Sequence, residues 1–236
     1  MAEKAGGGQG NKVEEHQVRP MIKAIFWDND GVLVETEGIF FRANQETLAD
    51  LGISLGWEQF EEISLVRGGS VLQLAQKPGT EAFYKLRDKR DALYADLLTR
   101  APLVIEGVRD VLEALAGKYV MGIVTGSGHE HFGIIHRQSG LLPYFQFALT
   151  MKDCLHFKPH PEPYLKAIAL SGCRPEECLA IEDSPRGLVS AVSAGLRCMV
   201  VPSRFTRGCD FPGAFKIMNN IRELPAALDS GFQQRG

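Results

Sequence analysis

The sequence predicts an α/β fold: a doubly wound parallel sheet with helices on both faces, interrupted after its first strand by a helical insertion. Two observations predict it. Helix-like and strand-like segments alternate from residue 104 to residue 218, which is typical of a parallel sheet. Residues 38–103 show helical periodicity and no strand pattern, and we call them the inserted segment. The sheet domain is therefore predicted to consist of residues 21–37 and 104–236.

The composition is that of an ordinary globular protein whose partners are small molecules. Of the 236 residues, 44% are hydrophobic, and 26 Lys and Arg stand against 29 Asp and Glu, a net charge of −3. That balance gives no attraction to nucleic acid or to an anionic membrane, so neither is predicted as a partner. No apolar run is long enough to cross a bilayer, and residues 1–20 are glycine-rich and polar, which predicts a disordered N-terminal tail.

The five cysteines predict neither a disulfide framework nor a zinc site. Their number is odd, and no pair has the CxxC spacing. Cysteines of this kind are typical of small apolar side chains in a reduced protein, so we expect a cytoplasmic location.

The first strand leads directly into a charged turn. Residues 23–27 form a largely apolar run of strand length, which is followed by Asp28 and Asp30 and then by Gly31. Two acids so close together normally require a cation or a hydrogen-bond donor nearby. Taken alone, the turn is equally consistent with an Asp-rich loop after an ordinary strand.

Periodicity assigns the remaining elements. Within the inserted segment, helices are predicted at residues 38–51, 57–66, 71–76 and 80–98. Beyond it, strands are predicted at 119–125, 145–150, 178–181, 197–201 and 214–218, and helices at 108–116, 129–139, 162–170 and 186–194. Because open parallel sheets bind ligands outside the carboxyl ends of their strands, the residues just after each strand are candidates for chemistry.

Polar or charged residues follow the first four predicted strands. They are Asp28-Asn29-Asp30, Thr125-Gly126-Ser127, Lys158-Pro159 and Glu182-Asp183-Ser184. A hydroxyl beside a glycine suits a phosphate oxygen, since the glycine leaves backbone amides accessible. Singly, each group is also explained by a turn, a surface lysine or acids at a helix N-terminus. Together, at successive strand ends, they indicate one shared site.

These four groups together resemble the four motifs of the haloacid dehalogenase-like (HAD) hydrolase superfamily, over about residues 21–205. Within it, the chain is similar to subfamily I members with a small helical cap, the group of phosphoglycolate phosphatases and β-phosphoglucomutases. The resemblance implies a Rossmann-like core, a cap at residues 38–103, and Mg²⁺-dependent phosphoryl transfer through an aspartyl-phosphate intermediate.

The resemblance also implies a role for each motif residue. Asp28 is the nucleophile, and the Asp30 carboxyl is the general acid and base. The implied Mg²⁺ ligands are Asp28, the Asp30 carbonyl, Asp183 and, through water, Glu182. Thr125, Lys158 and the amides near Asn29 and Gly126, with Ser127, are the implied groups around the phosphoryl oxygens. An acid at Asp30 disfavours dehalogenation, because a halide leaving group needs no proton.

Two functions remain open at this point. The expected function is hydrolysis of a small phosphorylated metabolite, such as a sugar phosphate or a phosphoglycolate-like ester. The alternative is a phosphosugar mutase of the β-phosphoglucomutase type. The protein is expected to be a monomer or a weak dimer. Arg67, beside two glycines, is a candidate contact for the distal end of the substrate, or else a solvated residue in a plain turn. A third function, that of a non-catalytic phosphate-binding domain, is disfavoured. In such a domain at least one of the four motifs should be broken, and none is.

Several other residues are assigned lesser roles. His129, His131 and His136 share a predicted helix at a spacing that disfavours a common metal. Arg186 is expected to face solvent. Glu35, Thr36 and Glu37 are expected to be hinge or pocket residues, or else to cap the N-terminus of a helix. Hinges of cap motion are expected near residues 36–38 and 101–103.

Overall fold

The structure, a computed structural model, describes residues 21–232 and is built on one six-stranded parallel sheet. The tail predicted at residues 1–20 lies outside the described residues. The strand order is β3-β2-β1-β4-β5-β6. The strands are β1 Ala24–Trp27, β2 Val120–Val124, β3 Phe147–Leu149, β4 Cys178–Glu182, β5 Arg197–Val200 and β6 Lys216–Ile217. The predicted α/β fold class is confirmed.

Strand β1 lies at the centre of this sheet. It pairs in parallel with β2 on one side and with β4 on the other, so that Ala24 is opposite both Val120 and Cys178. All four of its residues are buried. Because the strands are parallel and in this register, the residues that follow β1, β2 and β4 meet at one edge of the sheet.

Successive residues of β1 point to opposite faces, and each face has its own apolar core. Ile25 and Trp27 belong to the core covered by α4 Val108–Leu115, α5 His129–Ser139 and α8 Leu224–Phe232. Ala24 and Phe26 belong to the core covered by α6 Glu162–Ser171 and α7 Pro185–Ser193. The fold is therefore wound on both faces, and Trp27 packs in the core.

The inserted segment contains α1 Glu37–Ala49, α2 Trp57–Phe60 and α3 Glu81–Leu98, with a third apolar cluster of its own. Two predicted α-helices differ from the structure. The one predicted at 57–66 continues after Phe60 as a π-helical turn, Glu61–Val66, and the one predicted at 71–76 is a 3₁₀ turn, Val71–Leu74. Apolar spacing cannot distinguish these helix types over one or two turns.

The inserted segment contacts the sheet domain through aromatic side chains. Trp57 stacks on Phe205, in the loop after β5, with 4.5 Å between ring centroids and 27° between planes. Tyr94 of α3 lies edge-on to His131 of α5, at 4.8 Å. No helix within residues 21–232 combines the length and hydropathy that a membrane span requires.

The Trp57–Phe205 stack provides an optical test of the predicted hinges. The chain has two tryptophans, Trp27 in the core beside Asp28 and Trp57 on Phe205, so a change in emission that is lost in Trp57→Phe comes from Trp57. We expect a phosphate ester to change the tryptophan fluorescence of the wild type but not that of Trp57→Phe. Unchanged emission on binding, with binding verified by calorimetry, would contradict a moving cap.

Candidate active site

A buried lysine joins the ends of three strands. Lys158 Nζ lies 2.8 Å from Asp28 Oδ1 and 2.7 Å from Glu182 Oε1. It also donates a hydrogen bond of 2.8 Å to the carbonyl of Val124, at the end of β2. The side chains of Asp28 and Lys158 are each 11% exposed and that of Glu182 is 0% exposed, so these charges interact with little screening by water.

Burial sets the protonation preferences of this cluster. It raises the pKa of Asp28 to about 7, with a further contribution from the charge of Glu182, while Lys158 acts in the opposite direction. Burial disfavours the Lys158 ammonium, but the charges of Asp28 and Glu182 outweigh burial and raise its pKa. A second cation near Asp28 would favour its ionised, nucleophilic form.

Glu182 is held on the lysine side of the site. The hydroxyl of Tyr164 donates a hydrogen bond of 2.6 Å to Glu182 Oε1, the oxygen that also contacts Lys158. A Cβ at Gly187, in the first turn of α7, would lie 1.9 Å from Glu182 Oε2. The carboxylate therefore fits between α6 and α7 only because residue 187 is glycine.

Asp183 lies beside Asp28 and completes an acidic group that suits a divalent cation. Carboxylate oxygens of Asp28, Glu182 and Asp183 all lie within 4.8 Å of one another, and all three residues are buried. Asp183 Oδ2 is buried without a hydrogen-bond partner within residues 21–232. Burial, and then the charge of Glu37, raise the pKa of Asp183. Buried carboxylates with an unpaired oxygen are the ligands that Mg²⁺ prefers, so the residues present fit this ion.

Gly31 gives the turn after β1 room beside Asp183. Its φ is +84°, and a Cβ there would lie 2.2 Å from Asp183 Oδ2. Only glycine meets both requirements without strain.

We therefore expect Gly31→Ala to abolish most activity and to destabilise the fold, because the methyl group displaces Asp183. Gly79→Ala is the matched control: its φ is +86°, but no atom lies within 4 Å of its Cβ. Activity assays and thermal denaturation of both variants separate steric displacement from backbone strain. Equal losses in the two variants would contradict the assignment.

Asp30 has different partners from Asp28, although only one residue separates them. Thr36 donates a short hydrogen bond to Asp30 Oδ1, Thr125 donates one of 3.2 Å to Oδ2, and Ser127 also donates to Oδ2. Thr36 occupies the N-cap position of α1, yet its side chain forms no cap bond. The helix-cap interpretation of Thr36 is therefore wrong, and its hydroxyl supports Asp30 instead.

Two acids near the start of α1 extend the site further than the motifs indicated. Burial raises the pKa of Glu37 to about 8, with a further contribution from the charge of Asp30, and Glu37 Oε2 is buried without a partner in the described chain. Burial also raises the pKa of Glu35, which lies 3.6 Å from Arg204. The position of Glu37 at the start of the inserted segment was equally consistent with a hinge or pocket residue and with a favourable helix dipole.

The three remaining candidate residues, Asn29, Gly126 and Arg67, differ in burial and in their contacts. The Asn29 side chain is fully buried and bonded to His136, which leaves its backbone amide as the group for a phosphate oxygen. Gly126 is exposed between Thr125 and Ser127. Arg67 lies at the surface of the inserted segment, where it pairs with Glu62 at 2.5 Å. Within residues 21–232 it forms no hydrogen bond or ion pair with the motif residues.

The expectation that Arg186 faces solvent is wrong. Its side chain is partly buried, and Nη2 donates a hydrogen bond of 2.5 Å to the carbonyl of Lys158. A Cβ at Gly68 would lie 2.4 Å from its guanidinium, so Arg186 lies directly under the loop of the inserted segment. Sequence spacing gave no indication that α7 begins beneath that loop.

A cluster of one acid and two histidines, Glu162, His156 and His160, supports the loop that carries Lys158. Glu162 accepts hydrogen bonds of 2.9 Å from the backbone amides of Leu155 and His156. His160 Nδ1 accepts one of 3.1 Å from the Glu162 amide, and the rings of His156 and His160 stack at 4.4 Å. These groups already have partners within the chain, so their role is to brace the loop.

A buried carboxylate held by a lysine, beside an acidic group that fits a divalent cation, is an arrangement typical of enzymes that transfer phosphoryl groups. The sequence matches the Haloacid dehalogenase-like hydrolase family over residues 25–201. The chain belongs to this family, which confirms the resemblance of its four motifs.

Individual relatives are similar over most of their length. Protein CbbY of Rhodobacter capsulatus is 30% identical over 82% of this chain and 91% of its own. Hexitol phosphatase B of Escherichia coli is 28% identical over 78% of this chain and 85% of its own. A crystal structure of CbbY from Rhodobacter sphaeroides in complex with phosphate has 28% identity and a TM-score of 0.77, covering 89% of this chain and 100% of that one. These similarities support a phosphoric monoester hydrolase.

Proposed function

We propose that this protein is a Mg²⁺-dependent phosphatase that hydrolyses a small phosphorylated metabolite through phosphorylated Asp28. One observation carries the proposal: Asp28 is held against Lys158, while Asp30, two residues on, is held by hydroxyl groups. Two carboxylates with separate surroundings suit two separate roles, nucleophile and proton carrier.

In the first step, an oxygen of Asp28 attacks phosphorus and forms a new P–O bond as the ester P–O bond breaks. Lys158 holds the Asp28 carboxylate at 2.8 Å and offsets the charge that accumulates on the phosphoryl group. Asp30 gives its proton to the leaving alkoxide, which departs as an alcohol.

In the second step, water hydrolyses the aspartyl phosphate. The water oxygen forms a bond to phosphorus as the P–O bond to Asp28 breaks, which frees the Asp28 carboxylate and inorganic phosphate. Asp30, now ionised, takes a proton from this water and returns to its starting form. The hydroxyls of Thr36, Thr125 and Ser127 keep the Asp30 side chain in place.

Mg²⁺ would be held by Asp28, Asp183 and the Asp30 carbonyl, and Glu182 would contact it through water. When bound, the ion neutralises negative charge on the phosphoryl oxygens. Its binding residues act as a unit, since they occupy adjacent strand ends. The amides near Asn29 and Gly126 and the Thr125 hydroxyl would orient the phosphoryl group.

The substrate class is proposed from the relatives and the polarity of the site. One relative acts on hexitol phosphates by name, and another was crystallised with phosphate. Glu37 brings an unpaired carboxyl oxygen close to the motif residues, which suits a hydroxylated substrate such as a sugar phosphate. The division into a sheet domain and a cap, the cytoplasmic location and the monomeric or weakly dimeric state stay predictions.

The test is phosphate release from a panel of sugar phosphates and phosphoglycolate, with Mg²⁺ and with EDTA. We expect release only with Mg²⁺, and Asp183→Asn to raise the Mg²⁺ concentration needed for half-maximal rate by at least about tenfold. Asp50→Asn, at an exposed ion pair with Lys89, is the control. Isomer formation without phosphate release would indicate the mutase alternative, and equal rates with EDTA would contradict the proposal.

A further inference from the structure

A buried histidine contacts the nucleophile turn through Asn29. His136 of α5 is 3% exposed. Its Nε2 lies 2.9 Å from Asn29 Oδ1, and its Nδ1 lies 3.0 Å from Ser139 Oγ. The mechanism proposed above gives this histidine no role, although Asn29 separates the nucleophile from the proton carrier.

The hydrogen bonds around His136 favour one neutral tautomer. With Asn29 Oδ1 facing the ring, the oxygen accepts, so His136 Nε2 carries the proton and donates it. Asn29 Nδ2 is buried without a hydrogen-bond partner within residues 21–232. Ser139 Oγ already accepts from the Leu141 amide at 3.2 Å, which leaves its own hydrogen free for His136 Nδ1. Burial lowers the pKa of His136 to about 4, so the ring is neutral near physiological pH.

Hydrogen bonds within the turn also hold the backbone of Asn29. Its carbonyl accepts hydrogen bonds of 2.8 Å from the Leu33 amide and 3.0 Å from the Val34 amide. With the side chain bonded to α5 and the carbonyl bonded to the turn, the orientation of the Asn29 peptide groups is determined at both ends. The direction of the flanking side chains, Asp28 and Asp30, follows from that orientation.

We propose that His136 is a positioning residue, whose hydrogen bond to Asn29 fixes the turn between Asp28 and Asp30 in the geometry that phosphoryl transfer needs. This inference rests on the proposed phosphatase function. Because His136 forms no hydrogen bond with Asp28 or Asp30 in the described chain, it acts through Asn29 and affects the rate of the chemical step more than substrate binding.

The test compares two substitutions of His136. His136→Leu removes the donor, whereas His136→Gln places an amide N–H close to the position of Nε2. We expect kcat to fall about tenfold in the leucine variant with KM unchanged, and to return to within about threefold of wild type in the glutamine variant. His129→Leu is the matched control on the same helix, since His129 is exposed and pairs with Lys152.

The double variant Asn29→Leu/His136→Leu separates positioning from stability. It removes both members of the Asn29–His136 pair, and Ser139 Oγ keeps the Leu141 amide as a partner, so stability should recover toward that of the wild type. We expect kcat to remain low. Recovery of kcat together with stability, or equal kcat values for the leucine and glutamine single variants, would overturn the inference.

Nuclear magnetic resonance of ¹⁵N-histidine protein tests the bond without reference to activity. We expect a neutral Nε2–H tautomer for His136 that does not titrate from about pH 5 to 8. An Nδ1–H tautomer or a protonated ring would overturn the inference. If the wild type had no phosphatase activity, by contrast, the proposed function would be wrong. The tautomer result would then be evidence only for a structural hydrogen bond.

Discussion

Asp28→Asn is expected to lower kcat by roughly four orders of magnitude or more, with little change in thermal stability. The amide has the same shape as the carboxylate but lacks the anionic oxygen that attacks phosphorus. Lys158 keeps its contact with Glu182 at 2.7 Å, so the buried lysine retains a partner. Steady-state phosphate release with Mg²⁺ and calorimetric unfolding measure the two quantities.

The matched control for this substitution is Asp88→Asn. Asp88 is in the inserted segment and its side chain is 72% exposed, so the same chemical change occurs far from the site. We expect wild-type kcat in that variant. If Asp28→Asn hydrolysed a phosphate ester at the wild-type rate, the assignment of the nucleophile would be wrong.

Lys158→Met is expected to reduce both activity and stability. Without the ammonium, Asp28 and Glu182 face each other as buried carboxylates, and removing one partner of a buried ion pair typically costs about 3–5 kcal/mol. We expect kcat to fall by about three orders of magnitude, because the phosphoryl charge is no longer offset and Asp28 is no longer held. Chemical denaturation and rate measurements at saturating Mg²⁺ test both effects.

Lys85→Met is the matched control, which shows whether replacing a lysine elsewhere in the chain has the same effect. Lys85 pairs with Glu81 at 2.7 Å on the surface, where its side chain is 76% exposed, and exposed pairs of this kind contribute little. We expect no measurable change in either quantity. A Lys158→Met protein with wild-type stability and rate would show that the lysine is not the counter-charge of the site.

Much of this site follows from local rules of sequence. The apolar run of β1 predicts a buried strand, and Gly31 predicts the sharp turn after it. Since neighbouring parallel strands end at the same edge, residues after three separate strands are expected to meet. The contacts of Lys158 with Asp28 and Glu182 agree with that expectation, although their catalytic roles remain to be tested.

The parts that sequence did not predict depend on contacts between distant residues or on fine backbone geometry. The bond from His136 to Asn29 joins residues 107 positions apart, and helical spacing shows only that His136 is on α5. The contact of Arg186 with the loop at Gly68 depends on how the inserted segment sits on the sheet. Periodicity also cannot show that Thr36 donates to Asp30 rather than to its own helix.

The central claim is that Asp28 carries the phosphoryl group during turnover. Rapid quenching of the wild type with Mg²⁺ and a phosphate ester, followed by peptide mass spectrometry, tests this claim most directly. We predict one phosphoryl group on the peptide that contains Asp28, and none on that peptide from Asp28→Asn. Phosphate release at the wild-type rate with no phosphorylated Asp28 at any quench time would contradict the account.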